Sequence, residues 1–262
     1  MDMKRLSKED LNDLKYAKAL LENISLAIKI TNKIGQPIEK GIKLLPRGWN
    51  NKVNTYVQKA LMSALNFAVY TLKDTTSASS NNVFHKLLVG GTGFLGGMGG
   101  LLTLPIELPV TTTLMLRSIA QIASGEGENI RNIESKLACI EVFALGGNST
   151  GDDAAETGYF AVRAALAQEI AKAAEYISER GLADEGAPVI VRLIAEIASR
   201  FEINITEKAA AELMPLVGGI GGAGINVIFM HHFQNMAQGH FIVRRLERTY
   251  GPEQIQQAYG DA

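Results

Sequence analysis

DDAAETGYFAVRAALAQEIAKAAEYISERG, residues 152–181, decides the fold class. Its large apolar side chains, Tyr159, Val162, Leu166, Ile170 and Ile177, recur at spacings of three, four and seven. That is the period of one face of an α-helix and not the alternation of a half-buried strand. Asp152 and Asp153 at the head and Arg180 at the tail complement a helix dipole, and Gly181 supplies the residue that closes such a helix.

Working outward, the same pattern recurs. Ser7 and Asp10 read as a capping box ahead of Leu14, Ala17, Leu21, Ile24 and Ile28, which predicts one amphipathic helix ended by Gly35-Gln36-Pro37. A short apolar and basic segment (Ile38, Lys40, Ile42, Lys43, Leu45, Arg47, Trp49) precedes a helix over 53–72. Further helices are expected from Pro109 to Ala123, over about 132–145, and from Pro188 to near Arg200. Thr206 is read as the cap of another, and Gly251-Pro252 stops the last long one. No run of alternating strands appears. The class is therefore all-α, a multi-helix globular bundle with two glycine-rich apolar segments. The Ser/Thr/Asn-rich stretch 74–82 reads as a linker between a basic N-terminal helical region (1–73) and a glycine-rich core (83–262), with one continuous domain as the alternative.

The 262 residues are 47% hydrophobic and 20% charged with a net charge of −1. That excludes a disordered chain, and it gives no basic surplus for nucleic acid. A single cysteine, Cys139, excludes a disulfide scaffold. With no apolar leader at the N-terminus, a cytoplasmic location is the expectation. The neutral total hides a gradient, because residues 1–88 carry +7 and residues 89–212 carry −8. A basic third on a neutral protein fits either an anionic membrane surface or the protein's own acidic middle.

Residues 87–106 and 213–243 contain no formal charge. Either is long enough to cross a bilayer as a helix, which takes roughly 20 residues. Gly93/Gly97, Gly96/Gly100 and Gly218/Gly222 are small-xxx-small pairs suited to close helix packing or membrane contact, and Trp49 beside Arg47 is the matching interfacial or core-edge residue. Glycine costs about 1 kcal/mol per helical position and Pro105 and Pro109 interrupt the first run, so packed helices in a globular fold are preferred to spanning ones. Gly91-Thr92-Gly93-Phe94-Leu95-Gly96 spells the dinucleotide fingerprint, but no strand–helix–strand unit surrounds it, and no cofactor is expected.

Polar residues in apolar company are the remaining candidates. Glu107, Arg117, Glu141 and His232 would line the pocket of a hydrolase or metal-dependent enzyme, with structural pairing as the simpler reading. His231, His232 and His240 are candidate metal ligands, but spacings of one, eight and nine do not put two imidazoles on one ion from one helix. No metal is therefore assigned. An enclosed hydrophobic ligand is a third reading, and a homo-oligomer is left open.

The runs Leu101-Leu102-Thr103-Leu104-Pro105-Ile106-Glu107-Leu108-Pro109 into Leu116-Arg117-Ser118-Ile119-Ala120, Glu141-Val142-Phe143-Ala144-Leu145-Gly146-Gly147, and the closing segment from Gly218-Gly219 to Leu246-Glu247 resemble the bacterial EcsC protein family over roughly residues 50–251. The resemblance implies an all-helical protein with glycine-rich apolar segments. The basic N-terminal third and the two uncharged runs lead to the expectation of a non-catalytic protein acting at or near a membrane or a membrane-protein partner of the ABC transporter kind. The resemblance supplies no catalytic residues to carry over.

Overall fold

The computed structural model describes residues 5–22, 26–72, 104–146, 158–182, 184–214 and 222–262. Among them are ten α-helices: α1 (Lys8–Leu21), α2 (Leu26–Ile34), α3 (Ile38–Ile42), α4 (Trp49–Thr71), α5 (Leu104–Gly125), α6 (Ile133–Glu141), α7 (Gly158–Arg180), α8 (Pro188–Glu212), α9 (Gly222–Tyr250) and α10 (Pro252–Asp261). A 3-10 turn, Val142–Ala144, extends α6. No strand occurs among the described residues, and the all-α class stands. The linker 74–82 and Gly93, Gly96, Gly97, Gly100 and Gly218 lie outside the described residues.

The N-terminal cap forms as the sequence dictates, with Ser7 Oγ accepting from the Asp10 amide at 3.0 Å. The single helix expected through Ile28 is instead two. α1 closes at Glu22, and the buried stripe resumes in a new phase at Leu26, Ala27 and Ile30, leaving Ile28 49% exposed. α5 starts before the expected Pro109. Pro105 falls in its first turn, where no amide hydrogen bond is required, so only Pro109 costs the helix a bond. α8 runs unbroken past Arg200, because Ile197, Ala198, Phe201, Ile205 and Ala209 continue one buried stripe through the expected break. Thr206 is thus helical and not a cap. Its Oγ1 instead accepts from Trp49 Nε1 at 3.0 Å.

Side-chain pairs fix the directions. Trp49–Thr206, Asn54–Glu202 and Asn66–Glu185 set α4 antiparallel to α8. Phe201 against Phe233 and Lys208 over Phe229 set α8 antiparallel to α9. Ser118–Gln234 and Glu126–Arg245 set α5 parallel to α9. The starts of α4, α5 and α9 and the end of α8 therefore share one end of the bundle. α9 is the central element and packs on α1, α2, α5, α8 and α10. It meets α1 closely at Gly239, where a Cβ would lie 3.0 Å from the Ala17 carbonyl oxygen and 2.7 Å from Leu21 Cγ. One hydrophobic core runs from Leu14 to Tyr259, and no helix among the described residues is long and apolar enough to cross a membrane.

Candidate functional site

Three features concentrate the chemistry: a basic and apolar surface at one end of the bundle, a buried ionic cluster along α9, and a buried histidine on α9.

The surface is built where α3 turns into α4. Ile38 and Gly41 face inward, with Gly41 so close to the Ala210 carbonyl that no side chain fits, and this packing turns the neighbouring residues outward. Ile42 is 41% and Leu44 56% exposed. Lys33, Lys40, Lys43, Arg47 and Lys52 are exposed around them, five cations against the single acid Glu39 in that stretch. None of the five is in an ion pair among the described residues. At the same end, Ile106 and Val110 stand exposed one turn apart at the start of α5, and Val227 does so near the start of α9. Both uncharged glycine-rich runs lead into helices that begin here.

The ionic cluster forms because α6 is buried on every side from Ser135 to Glu141. Any charge on it must find partners inside. Glu141 is 4% exposed, and burial pushes its pKa up to about 7, against pulls from Arg163 and Arg244. Its Oε2 lies 3.7 Å from His240 Nε2, whose Nδ1 is 3.0 Å from the Tyr159 hydroxyl. His240 is fully buried and held neutral, its pKa far below the usual range through burial and the nearby Arg163 and Arg244 charges. Arg163 forks onto Glu247 at 2.7 and 2.9 Å. Burial alone would raise the pKa of Glu128, but the Arg244 bond at 2.8 Å, Ser135 at 2.7 Å and Arg248 hold it below the usual carboxylate value. Glu128 and Glu247 are satisfied within the protein by Arg244, Arg248 and Arg163, so the arrangement suits locking α6, α7 and α9 together.

The third feature is His232, 1% exposed, whose ring lies against Gly146. Gly146 has φ +72°, and a Cβ there would lie 2.5 Å from His232 Nε2. Burial drives the His232 pKa down to about 3, with Lys29 pushing the same way and the Gly146 backbone opposing. No side chain among the described residues hydrogen-bonds to either ring nitrogen.

The residues singled out in the sequence are thus dispersed. Glu141 meets His240 but not His232, which lies eight residues away on α9, about 12 Å along the axis. Arg117 precedes Ser118 and so falls near the level of Gln234, while Glu107 lies eleven residues before the Ser118–Gln234 contact, roughly 16 Å toward the helix starts. Glu107 is buried and Arg117 half-buried. His231 is exposed beside buried His232, and no group of three His, Cys, Asp or Glu able to hold a metal occurs among the described residues. Trp49 is 6% exposed and packs in the core, and Gly222 opens α9. Sequence reasoning passed over Lys29, Glu128, Tyr159, Arg163 and Arg244. For Arg163 and Arg244 a signal existed, a cation set inside the apolar stripe of a helix.

Among known proteins, the family model described as the EcsC protein family matches residues 8–246. No curated protein and no solved structure matches the chain.

Proposed function

The chain belongs to the EcsC protein family, and we propose that it works as a non-catalytic peripheral protein on an anionic membrane surface, docking through the end of the bundle where α4, α5 and α9 begin. The observation that carries the reading is the exposed pair Ile42 and Leu44 in a stretch that also exposes Lys33, Lys40, Lys43, Arg47 and Lys52, all unpaired with acids among the described residues. Exposed apolar side chains flanked in sequence by cations suit insertion among lipid tails with the charges at headgroup level. Each cation near an anionic leaflet contributes about 1 kcal/mol, so five give a binding that is useful yet reversible and salt-sensitive. The exposed Ile106, Val110 and Val227 at the same end add apolar area without adding charge.

The test is co-sedimentation of the full chain with vesicles of zwitterionic lipid, with and without about 30% anionic lipid, at low and high salt. Binding that requires anionic lipid, weakens with salt and falls at least tenfold in K43E/R47E, with a further drop in L44D, supports the proposal. A chain that stays in the supernatant under all conditions overturns it. Retention on native membranes alone would instead point to a membrane-protein partner on the same surface.

A further inference from the structure

We propose that the starts of α5 and α9 form an edge that enters the hydrocarbon layer of a bilayer, so that the protein prefers membranes whose acyl chains are exposed by curvature or unsaturation. The inference rests on the membrane reading above. It adds a second lipid determinant, because cations recognise an anionic headgroup and do not distinguish what lies beneath it.

Contacts within the bundle set the level of this edge. Gln234 Nε2 donates to Ser118 Oγ at 2.9 Å, and stepping back about two turns along the parallel α5 and α9 brings Val110 level with Val227. Lys208 Nζ lies 5.7 Å from the Phe229 ring centroid, so Ala210, further along the antiparallel α8, is level with Val227 as well. Gly41 packs directly on Ala210. The basic segment and the starts of α5 and α9 therefore reach one plane to within about a helical turn. Ile106 stands a turn beyond Val110, and at 66% it is the most exposed large apolar side chain among the described residues.

Charge is spread unevenly about that plane. Lys40 and Lys43 flank Gly41 in sequence, so on the α3 side the cations are at the plane itself. On α5 the outward positions Ile106, Val110 and Thr113 come before the first cation, the half-buried Arg117, about 10 Å behind Val110. Glu107, the one acid in that stretch, is buried, and the Thr113 hydroxyl donates to the Pro109 carbonyl at 2.8 Å and so needs no water. On α9 no Asp, Glu, Lys or Arg occurs from Gly222 to Val243. An uncharged edge about 10 Å deep that ends at an arginine matches the depth to which interfacial elements sink, with the guanidinium left at headgroup level. The shared plane commits the edge to lipid, since a flat anionic surface that meets the α3 cations also meets Ile106, Val110 and Val227.

The full chain is titrated with vesicles of equal anionic content that are small or large and unsaturated or saturated. Wild type should bind small unsaturated vesicles at least fivefold more tightly than large saturated ones. I106D/V110D should lose that preference and keep its dependence on anionic lipid and salt. Both positions are exposed near a helix start, where an acid is well tolerated. Cys139 is buried, so a fluorophore can be attached selectively to Ile106→Cys or, at the far end of α4, to Tyr70→Cys. Brominated acyl chains should quench the first and not the second. Failure of wild type to bind any vesicle overturns the membrane reading and this inference with it. Binding that ignores size and saturation, an unchanged preference in I106D/V110D, or an unquenched label at position 106 overturns this inference alone. So does a wild-type dimer in solution that I106D/V110D converts to monomer, which would make the edge an interface between copies.

Discussion

His240 Nε2 faces Glu141 Oε2 at 3.7 Å in the centre of the protein. That is beyond hydrogen-bond distance, yet both side chains are almost fully removed from water. The ring's other nitrogen meets the Tyr159 hydroxyl at 3.0 Å. With His240 held neutral, the bond to tyrosine and the approach to glutamate define a chain of three polar groups that join α6, α7 and α9, bounded by Arg163, Arg244 and Glu247.

Glu141 makes stability fall with rising pH. Its pKa is 4.5 in the unfolded chain and about 7 in the folded one, so the folded state holds the proton more tightly between those values. The stabilisation is complete below pH 4.5 and is lost as pH rises through 7. The interval sets a ceiling of about 3 kcal/mol. Glu141→Gln should abolish this slope and be more stable than wild type at pH 8 by 1 kcal/mol or more, as read by urea unfolding at pH 5, 6, 7 and 8.

His232 acts in the opposite sense. Its pKa falls from 6.5 to about 3 on folding, so its contribution is complete above pH 6.5 and is lost as pH drops toward 3. His232→Leu should reduce the loss of stability between pH 6 and pH 4. An unaltered acid limb in the variant would show that His232 is not buried as described.

Removing the tyrosine hydroxyl leaves His240 Nδ1 with no partner in a site that excludes water. Tyr159→Phe should cost roughly 1–3 kcal/mol. The ring stacks on Tyr259 at 5.9 Å and is otherwise kept, so denaturant sensitivity should change in midpoint and not in slope.

Gly146 and Gly35 both have φ +72°, but their surroundings differ. A Cβ on Gly35 meets nothing within 4 Å, whereas one on Gly146 lies 2.5 Å from His232 Nε2 and 2.9 Å from Met236 Sδ. Gly35→Ala should cost about 1 kcal/mol from backbone strain alone. Gly146→Ala should cost at least twice as much, and thermal unfolding of the pair separates the two contributions.

Arg245 ties α1 and α5 to α9 through Asp13 at 2.6 Å and Glu126 at 2.8 Å, with Asp10 at 3.6 Å. The guanidinium is one-third exposed, so the contacts are partly screened. Arg245→Ala should lower stability by about 1 kcal/mol at low salt and by less in 1 M NaCl. Proteolysis within α1 should quicken in parallel.

Much of the fold was legible because helices declare themselves locally. Ser7 at a cap, Gly181 and Gly251 at ends, and the apolar stripe of α7 depend on residues within a few turns of one another. The errors arose where a local signal met a tertiary one. Thr206 resembles a cap, yet its hydroxyl serves Trp49 from a position 157 residues distant. Ile28 fits a stripe that α2 abandons in order to bury Ile30.

The candidate residues show the same division. That Glu141, His232 and His240 would sit among apolar neighbours was evident from their flanking residues, since helical spacing assigns a face regardless of what covers it. Which groups they meet was not. Glu141 finds His240, Arg163 finds Glu247, and His232 finds Gly146 only because α6, α7 and α9 pack in one arrangement. The sequence by itself determined the helical class, the basic N-terminal third and the uncharged runs, all set by composition and short-range periodicity. The tertiary structure alone decided that His232 packs against Gly146 and that Ile42 and Leu44 remain uncovered beside unpaired cations. Such relationships depend on side chains far apart in sequence and on which surfaces the core leaves over, which no local pattern encodes.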